Sequence, residues 1–171
     1  MEQDKPSNVC KEAVYKTLFF DHAKQVRNYL YYKGAKAAEA EDLMQEAFLR
    51  LWRDCQKVPA DKAKGFLFTV ANNLFLDAKK HEKVALKFER RSNSQASPED
   101  PQFKLETKEL HQRLENAISQ LPEKQRTVFL MNRMDKLTYA EIAERLGLSV
   151  KAVEKRMSKA LVEMRLILKG I

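Results

Sequence analysis

Aromatic, amide and basic side chains recur between Phe66 and Lys80 at a spacing that could bind unpaired nucleic acid. Bases stack on aromatic rings, amides hydrogen-bond to exposed base edges, and lysines hold phosphates. The alternative is that the three phenylalanines of the segment, Phe66, Phe68 and Phe75, are ordinary core side chains. If the segment is helical, these residues share one side of it: Phe66, Thr69, Asn73, Asp77 and Lys80.

A basic loop, 57–65, precedes this segment and is punctuated by proline and glycine. Its Lys62 and Lys64 would add phosphate-binding charge beside the aromatic start of the helix, and Phe68 would offer a second ring for stacking. Further lysines and arginines follow as far as Arg91. Charge runs of this kind are more commonly solvated surface. The loop therefore supports the prediction of nucleic-acid binding but is not sufficient for it.

A second candidate site is a pair of helices joined by a tight turn. Thr138 and Glu141 form a capping-box pattern that begins a helix, and Gly147 can adopt the left-handed conformation that ends it. Ser149 can then cap the next helix. This order is typical of a helix-turn-helix, whose second helix enters the major groove of duplex DNA.

The second helix of this motif is predicted to have an apolar face and a polar, mostly basic face. The residues predicted to face the core are Val150, Val153, Met157, Leu161 and Met164. On the other face, lysine can reach guanine acceptors or phosphates, and glutamate can accept from cytosine. The alternative is a solvated face of an ordinary helical hairpin. The candidate duplex contacts are Ser149, Lys151, Glu154, Lys155, Arg156, Ser158 and Lys159.

The segment 40–54 is predicted to be an amphipathic helix with a broad apolar stripe. The residues of that stripe are Leu43, Met44, Ala47, Phe48, Leu51 and Trp52. The opposite face adds an apolar side chain, Leu49, that packing does not require. A protein partner would account for it, although single surface leucines are common and need no explanation. That face carries Asp42, Gln45, Glu46, Leu49 and Arg53.

The composition suits a soluble, helix-rich chain that binds a polyanion. Of the 171 residues, 33% are charged and 44% are hydrophobic. An excess of 32 Lys and Arg over 24 Asp and Glu gives a formal net charge of +8, which favours nucleic acid or an anionic membrane surface. No stretch is long enough to cross a bilayer and no secretory signal is evident, so we expect no membrane insertion and a cytoplasmic location.

The sequence does not predict catalysis. His22, His81 and His111 are scattered, and neither a metal-binding spacing nor a phosphate loop occurs. We therefore expect no catalytic residue, metal site, cofactor or small-molecule substrate. Cys10 and Cys55 lie far apart, and we expect reduced thiols without a redox switch, a structural bridge being the alternative.

The order of these segments predicts an all-α fold of two small helical domains joined by a flexible linker. Successive amphipathic segments fill the first part, and no alternating β-branched run calls for strands. Between Arg90 and Pro101 bulky apolar residues nearly vanish, and serines and prolines gather. Helical spacing resumes at Leu105. The predicted boundaries are 1–90 for the first domain, 91–104 for the linker and 105–171 for the domain with the helix-turn-helix.

Taken in this order, the segments resemble the extracytoplasmic-function (ECF) group of the sigma-70 family. Residues 39–52, EAEDLMQEAFLRLW, are similar to the helix of that family that binds core polymerase, commonly written AEDLVQEVFLRLW. The resemblance implies that core RNA polymerase is the protein partner, contacted through its β′ clamp helices and its β flap. The residues implied for core binding are Asp42, Gln45, Glu46, Leu49 and Arg53.

The segment 66–80 resembles the −10 recognition helix of the family, with an Ala-x-Asn-x-x-x-Asp pattern that begins at Ala71. The loop 57–65 would hold a flipped-out base of the non-template strand, as in the family. Thr69 and Asn72 stand where many relatives carry arginine. The −10 contacts that the resemblance implies are Lys62, Lys64, Phe66, Phe68, Asn73, Asp77 and Lys80.

Residues 121–129 and the helix-turn-helix resemble the fourth region of the family, which binds the −35 element as duplex. The resemblance implies promoter-specific initiation, with core polymerase, promoter DNA and an anti-sigma factor as partners. Three alternatives stay open on the sequence: a helix-turn-helix repressor or activator that needs no polymerase, an enzyme acting on nucleic acid, and an adaptor that binds polymerase without recognising promoters.

Overall fold

The computed structural model describes residues 8–86 and 103–169, with side-chain surroundings for 8–82 and 109–169. These ranges are helical apart from short turns and contain no strand, so the predicted all-α class is confirmed. The predicted linker, 91–104, lies almost wholly outside the described residues, and the domain boundaries stay a prediction. The helices are α1 (Glu12–Lys33), α2 (Ala37–Arg53), α3 (Ala63–Leu86), α4 (Phe103–Gln120), α5 (Glu123–Arg133), α6 (Tyr139–Leu146) and α7 (Val150–Lys169).

The first three helices form a bundle in which each buries an apolar face. α1 packs on α2 and α3, and α2 packs on α3. Leu30, Phe48 and Leu67 are buried at the centre, and burying side chains of this size contributes roughly 1.5–3 kcal/mol each. Gly34 ends α1 with a φ of 113°, in the left-handed region that favours glycine.

The helix-turn-helix predicted from the sequence is present as α6 and α7. The Glu141 amide donates to the Thr138 hydroxyl, and the Thr138 amide donates to the Glu141 carboxylate, which closes the capping box. Gly147 ends α6 with a φ of 63°. The Ala152 amide then donates to the Ser149 hydroxyl at 3.1 Å and caps α7. The turn is therefore built by hydrogen bonds that its own residues supply.

The two helical halves of the chain pack against each other. α1 contacts α5, and α3 contacts α6. One apolar core runs through both halves and includes Leu30 and Phe68 from the first half and Val128 and Ile142 from the second. A smaller cluster around Leu121 joins α4 to α7. The packing of each half on the other is therefore part of the hydrophobic core.

Helix boundaries and burial depart from the predictions at a few positions. α3 begins at Ala63, so Lys64 lies in its first turn and not in the predicted loop. Trp52, predicted to be buried, is 45% exposed and meets the Tyr15 ring edge to face. Val150, in the first turn of α7, is exposed as well. Spacing identifies the side of a helix that faces a core, but not where along the helix the core ends.

Cys10 and Cys55 form a disulfide bond, which corrects the expectation of reduced thiols. Cys10 precedes α1 and Cys55 follows α2, and their Cα atoms are 5.1 Å apart. The packing of α1 on α2 brings these ends together although 45 residues separate them. Beside the bond Val9 is fully buried, so apolar packing also anchors the segment before α1. The spacing of the cysteines along the chain did not indicate this proximity.

Loss of the Cys10–Cys55 bond is expected to destabilise the fold. Closing a loop of 45 residues restricts the unfolded chain, which corresponds to about 4 kcal/mol in the chain-entropy estimate. Replacing both cysteines with serine should lower the free energy of unfolding by up to that amount, measured by urea denaturation without reductant. Reductant should lower the free energy of unfolding of the unmodified protein and leave that of the double variant unchanged. Equal stability of the unmodified protein with and without reductant would contradict the bond.

Candidate polymerase and nucleic-acid interfaces

The outer surface of α2 carries the face predicted to bind a protein partner. Leu49 is 61% exposed although it is apolar, and it borders a shallow depression shared with Trp52 and Tyr15. An apolar patch with a polar rim is typical of a protein-binding surface. The exposed polar residues of that face are Asp42, Gln45 and Arg53.

Glu46, the fifth residue of that face, is half-exposed and paired within the helix. Its carboxylate accepts from Arg50 Nε at 3.0 Å, one helical turn later. Solvent-accessible pairs of this kind contribute only about 0.3–0.5 kcal/mol. Breaking this pair therefore costs little free energy, so Glu46 can pair with a cation of a binding partner instead. The contact with Arg50 is compatible with the predicted role of Glu46 in binding core polymerase.

The aromatic start of α3 is divided between core and surface. Phe68 is 2% exposed and lies against the Tyr29 ring, at 5.3 Å between centroids, and the Arg145 guanidinium. It is a core side chain in this arrangement, so the predicted −10 contact of Phe68 would require the two halves to separate, and the assignment stays a prediction. Phe66 is partly buried against the same core. The side of α3 that carries Phe68 is covered by the second half of the chain, and no local pattern indicates that cover.

Most of the polar residues predicted to contact nucleic acid near α3 lie at the surface. Lys64 differs, because its ammonium donates to Glu144 of α6 at 3.0 Å and so joins the two halves. This contact uses a side chain that was predicted to hold a phosphate. The exposed members of the predicted set are Lys62, Asn73, Asp77 and Lys80.

α7 presents a polar, mostly basic strip to solvent. Ser149, at its start, is exposed, and its hydroxyl caps the helix. Arg156 departs from the strip, since it is half-buried and lines a cleft between the two halves. The remaining predicted contacts follow the exposed side of the helix from turn to turn: Lys151, Glu154, Lys155, Ser158 and Lys159.

A cleft of about 300 Å³ lies between the two halves. Its walls include Thr69 and Asn72 of α3. Four cations and one carboxylate line it, and the carboxylate, Glu123, is paired with Lys33. The cations are Lys33, Lys124, Arg145 and Arg156.

Arg126 of α5 makes several polar contacts between the halves. Its Nε donates to the carbonyl of Tyr32 at 2.8 Å, and its Nη2 donates to that of Lys33 at 3.3 Å. These carbonyls belong to the last turn of α1, where a helix leaves its acceptors without partners of its own. Nη1 donates to the carbonyl of Leu121, in the second half, at 3.2 Å. One guanidinium therefore satisfies the end of α1 and holds α5 against it.

Asp135 and Glu123 accept three further hydrogen bonds between the halves. The Asp135 carboxylate accepts from Asn28 Nδ2 at 3.1 Å and from the Tyr32 hydroxyl at 2.9 Å. The Lys33 ammonium donates to Glu123. Burial, reinforced by Asp135, raises the pKa of Tyr32.

The sequence did not predict the residues that join the halves. Arg145 is one case, since it lies in a helix of the helix-turn-helix and yet is 8% exposed. Burial lowers the pKa of its guanidinium, and neighbouring carboxylates, Glu141 foremost, oppose that shift. Asn28 and Asp135 are 107 residues apart in sequence. Local patterns do not mark pairs at such separations, so no feature of the sequence would have identified them.

The part of the chain that the structure describes, 8–86 and 103–169, contains neither a metal-binding cluster nor a membrane-spanning helix. There, no group of three or more histidines, cysteines, aspartates or glutamates is arranged to bind a metal ion. Within the same ranges, none of the helices combines the length and the apolar character that a membrane-spanning segment needs.

Comparison with known proteins matches each half of the chain to a known family region. The pattern of Sigma-70 region 2 matches residues 18–84, and that of Sigma-70 region 4 matches residues 111–164. The ferric citrate uptake sigma factor FecI of Escherichia coli is 30% identical over 154 residues, which cover 85% of this chain and 86% of FecI. The chain belongs to the ECF group of the sigma-70 family. The ECF sigma factor SigL of Mycobacterium tuberculosis is 27% identical to this sigma factor over 93% of its length and 91% of SigL.

Two solved structures share the fold of this sigma factor. CnrH, in complex with the cytosolic domain of CnrY, has a TM-score of 0.62 at 18% identity and covers 97% of this chain and 99% of its own. RpoE of Bartonella quintana, in complex with the anti-sigma factor NepR, has a TM-score of 0.63 at 19% identity, with coverage of 91% and 96%. At sequence identities this low, the similarity to the two structures shows a shared fold only.

As an ECF sigma factor, the chain binds core RNA polymerase and directs initiation at specific promoters. The region 2 match spans most of α1 to α3, and the region 4 match spans the helix-turn-helix. The family consists of initiation factors that are not enzymes. The predicted family and function are confirmed, and the individual contact residues stay predictions.

Replacing Arg126 with methionine is expected to loosen the packing between the halves. The change keeps the apolar stem and removes the donors to the last carbonyls of α1, which should cost about 2 kcal/mol of unfolding free energy. Small-angle X-ray scattering should show a larger radius of gyration for the variant. Arg113→Met, at an exposed position of α4, is the matched control and should leave both quantities unchanged. An unchanged radius for the Arg126 variant would contradict the role assigned to this contact.

Proposed function

We propose that this sigma factor binds core RNA polymerase through the outer surface of α2. The observation that carries this proposal is the exposed Leu49 with acidic and amide groups beside it, on a helix whose other face packs most of its apolar side chains into the core. An apolar anchor inside a polar rim suits docking against another helix, such as the β′ clamp helices. The contacts proposed are Asp42, Gln45, Glu46, Leu49 and Arg53, and the β flap is a further proposed contact.

The −10 element is proposed to bind along α3 as an unpaired strand. The exposed amide of Asn73 and the carboxylate of Asp77 can hydrogen-bond to base edges, and Lys62 and Lys80 can bind phosphates. Phe66 is only partly buried, and its ring is proposed to stack on a base. Extruding a base costs a few kcal/mol, which contacts of these kinds can offset. Lys64 could join them once its pair with Glu144 opens.

The −35 element is proposed to bind as duplex through the exposed strip of α7. Three lysines at spacings of four, Lys151, Lys155 and Lys159, repeat along the same side of the helix. A helix fits the major groove, where lysine reaches guanine acceptors and phosphates and Glu154 can accept from cytosine. The capped turn before α7 and the packing of α6 on α7 fix how this helix is held against α6.

We propose a cytoplasmic location and an anti-sigma partner. Promoter DNA and polymerase are found in the bacterial cytoplasm, and a chain that uses both works there. The structurally similar RpoE of Bartonella quintana is bound to the anti-sigma factor NepR, and that similarity supports a partner of the same kind for this chain.

Glu46→Arg is expected to weaken binding to core polymerase. The change places a cation in an acidic face and beside Arg50, and charge reversal at a complementary interface should lower affinity about 10-fold or more. Titration of labelled sigma factor with purified core polymerase measures the effect. Stability should change little, because Glu46 is half-exposed and its pair with Arg50 is weak.

Glu115→Arg, an equal charge reversal at an exposed position of α4, is the control and should retain normal affinity for core polymerase. Run-off transcription on a pool of genomic promoter fragments should agree with the affinities: start sites should be lost with Glu46→Arg and kept with Glu115→Arg. Normal affinity of the Glu46 variant would remove Glu46 from the interface.

Lys155→Ala is expected to weaken binding of the −35 duplex roughly 5- to 10-fold and to reduce its salt dependence. Each phosphate neutralised by lysine releases condensed counterions, so removing one contact should lower the slope of log affinity against log salt by about 1. Fluorescence anisotropy with holoenzyme and duplex at several salt concentrations measures both effects.

Lys24→Ala, at an exposed position of α1, is the control for the loss of one positive charge. It should keep the affinity and the salt slope of the unmodified holoenzyme. Equal effects of both lysine variants would indicate that net charge, and not a contact by α7, governs duplex binding.

A further inference from the structure

The cleft between the halves contains buried polar groups that lack partners. Arg145 is 8% exposed, and its Nε and Nη1 have no hydrogen-bond acceptor among the described residues. The hydroxyl of Thr127, a residue 4% exposed on the same cleft, is likewise without a partner there. A buried group left unsatisfied costs about 1–3 kcal/mol, and more when it is charged. These three atoms are themselves shut off from solvent, so a ligand in the cleft that supplies acceptors would reach them once the two side chains turn toward it.

The charge of the cleft defines the class of ligand. Lys33, Lys124 and Arg156 join Arg145 on its walls, whereas Glu123 is the one lining carboxylate in the described ranges and is paired with Lys33. The carboxylates that act on Arg145, Glu141, Asp135 and Glu144, are not among the residues that line the cleft. The lining side chains therefore carry a net positive charge, which favours an anion.

We propose that this cleft binds a phosphate-bearing small molecule of about nucleotide size, held by Arg145, Thr127 and Arg156. A guanidinium matches the geometry of phosphate oxygens through paired donors, and the Thr127 hydroxyl can donate a further bond. The volume of about 300 Å³ is at the lower end of small-molecule pockets. It is too small for duplex DNA, so the closed cleft selects a small anion over a promoter.

Binding in this cleft would favour the closed arrangement of the two halves. Its walls come from both halves, so separating them would break the site. Thr69 of the −10 helix and Arg156 of α7 face the same cleft. The −10 contact of Lys64, which rests on the proposed function, requires its pair with Glu144 of the other half to open, so the ligand and the promoter compete. At ten times its dissociation constant, a ligand that binds only the closed form should lower apparent promoter affinity about 10-fold.

Isothermal titration of the full chain at fixed ionic strength tests the site, with inorganic pyrophosphate and adenosine 5′-diphosphate as probes and adenosine as the phosphate-free control. We expect saturable binding of one equivalent of at least one phosphate probe and none of adenosine. The radius of gyration should not increase on binding. Failure of both phosphate probes to bind saturably would overturn the proposal. This measurement uses no polymerase or promoter, so its failure is distinct from failure of the proposed function.

Two variants separate a ligand role from a structural one. Arg145→Met should weaken phosphate binding about 10- to 100-fold, as expected for the loss of charge-assisted hydrogen bonds. Thr127→Val keeps the shape of the side chain and removes an unpaired hydroxyl, so it should lower affinity while unfolding stability is kept or raised. Lys24→Met, outside the cleft, should bind normally. If the Thr127 variant binds with unchanged affinity, and the Arg145 variant is folded and also binds normally, these two residues do not hold the phosphate ligand. That result would overturn the assignment.

Discussion

The last turn of α1 depends on donors supplied from outside the helix. Gly34 and the residue after it satisfy two of its carbonyls from the turn that follows. Two more, those of Tyr32 and Lys33, accept from the guanidinium of Arg126, which belongs to the other half of the chain. Because helix ends leave acceptors unpaired, this contact fixes α5 at the end of α1. The apolar core shared by both halves lies beside the same contact.

This packing divides the interaction surfaces of the sigma factor into two groups. The outer face of α2 and the strip of α7 are exposed, so polymerase and duplex could reach them in the closed arrangement. The start of α3 is different, because Phe68 is in the shared core, Lys64 is paired with Glu144, and Thr69 lines the cleft. The physical basis of any regulation would therefore lie in how strongly the halves hold each other.

The burial of Phe68 and the bond between Cys10 and Cys55 have the same physical cause. Phe68 was assigned to DNA because aromatic residues next to lysines suit stacking, and Cys10 and Cys55 were expected to be thiols because their spacing suggested no bridge. In both cases a distant helix decides the surroundings, since α6 packs on α3 and the packing of α1 on α2 joins the cysteines. Tertiary neighbours of this kind leave no trace in local periodicity.

Local chemistry was sufficient to predict the helices, the capped turn before α7 and the outer face of α2. Thr138, Glu141, Gly147 and Ser149 form their hydrogen bonds with residues a few positions away, so their types alone determine that turn. Leu49 was identified because a 3.6-residue period separates core from surface on one helix. Only the tertiary structure decided which surfaces the halves cover, because those contacts join residues about a hundred positions apart. Burial of Arg145, the disulfide and the cationic cleft are therefore properties of the packed chain.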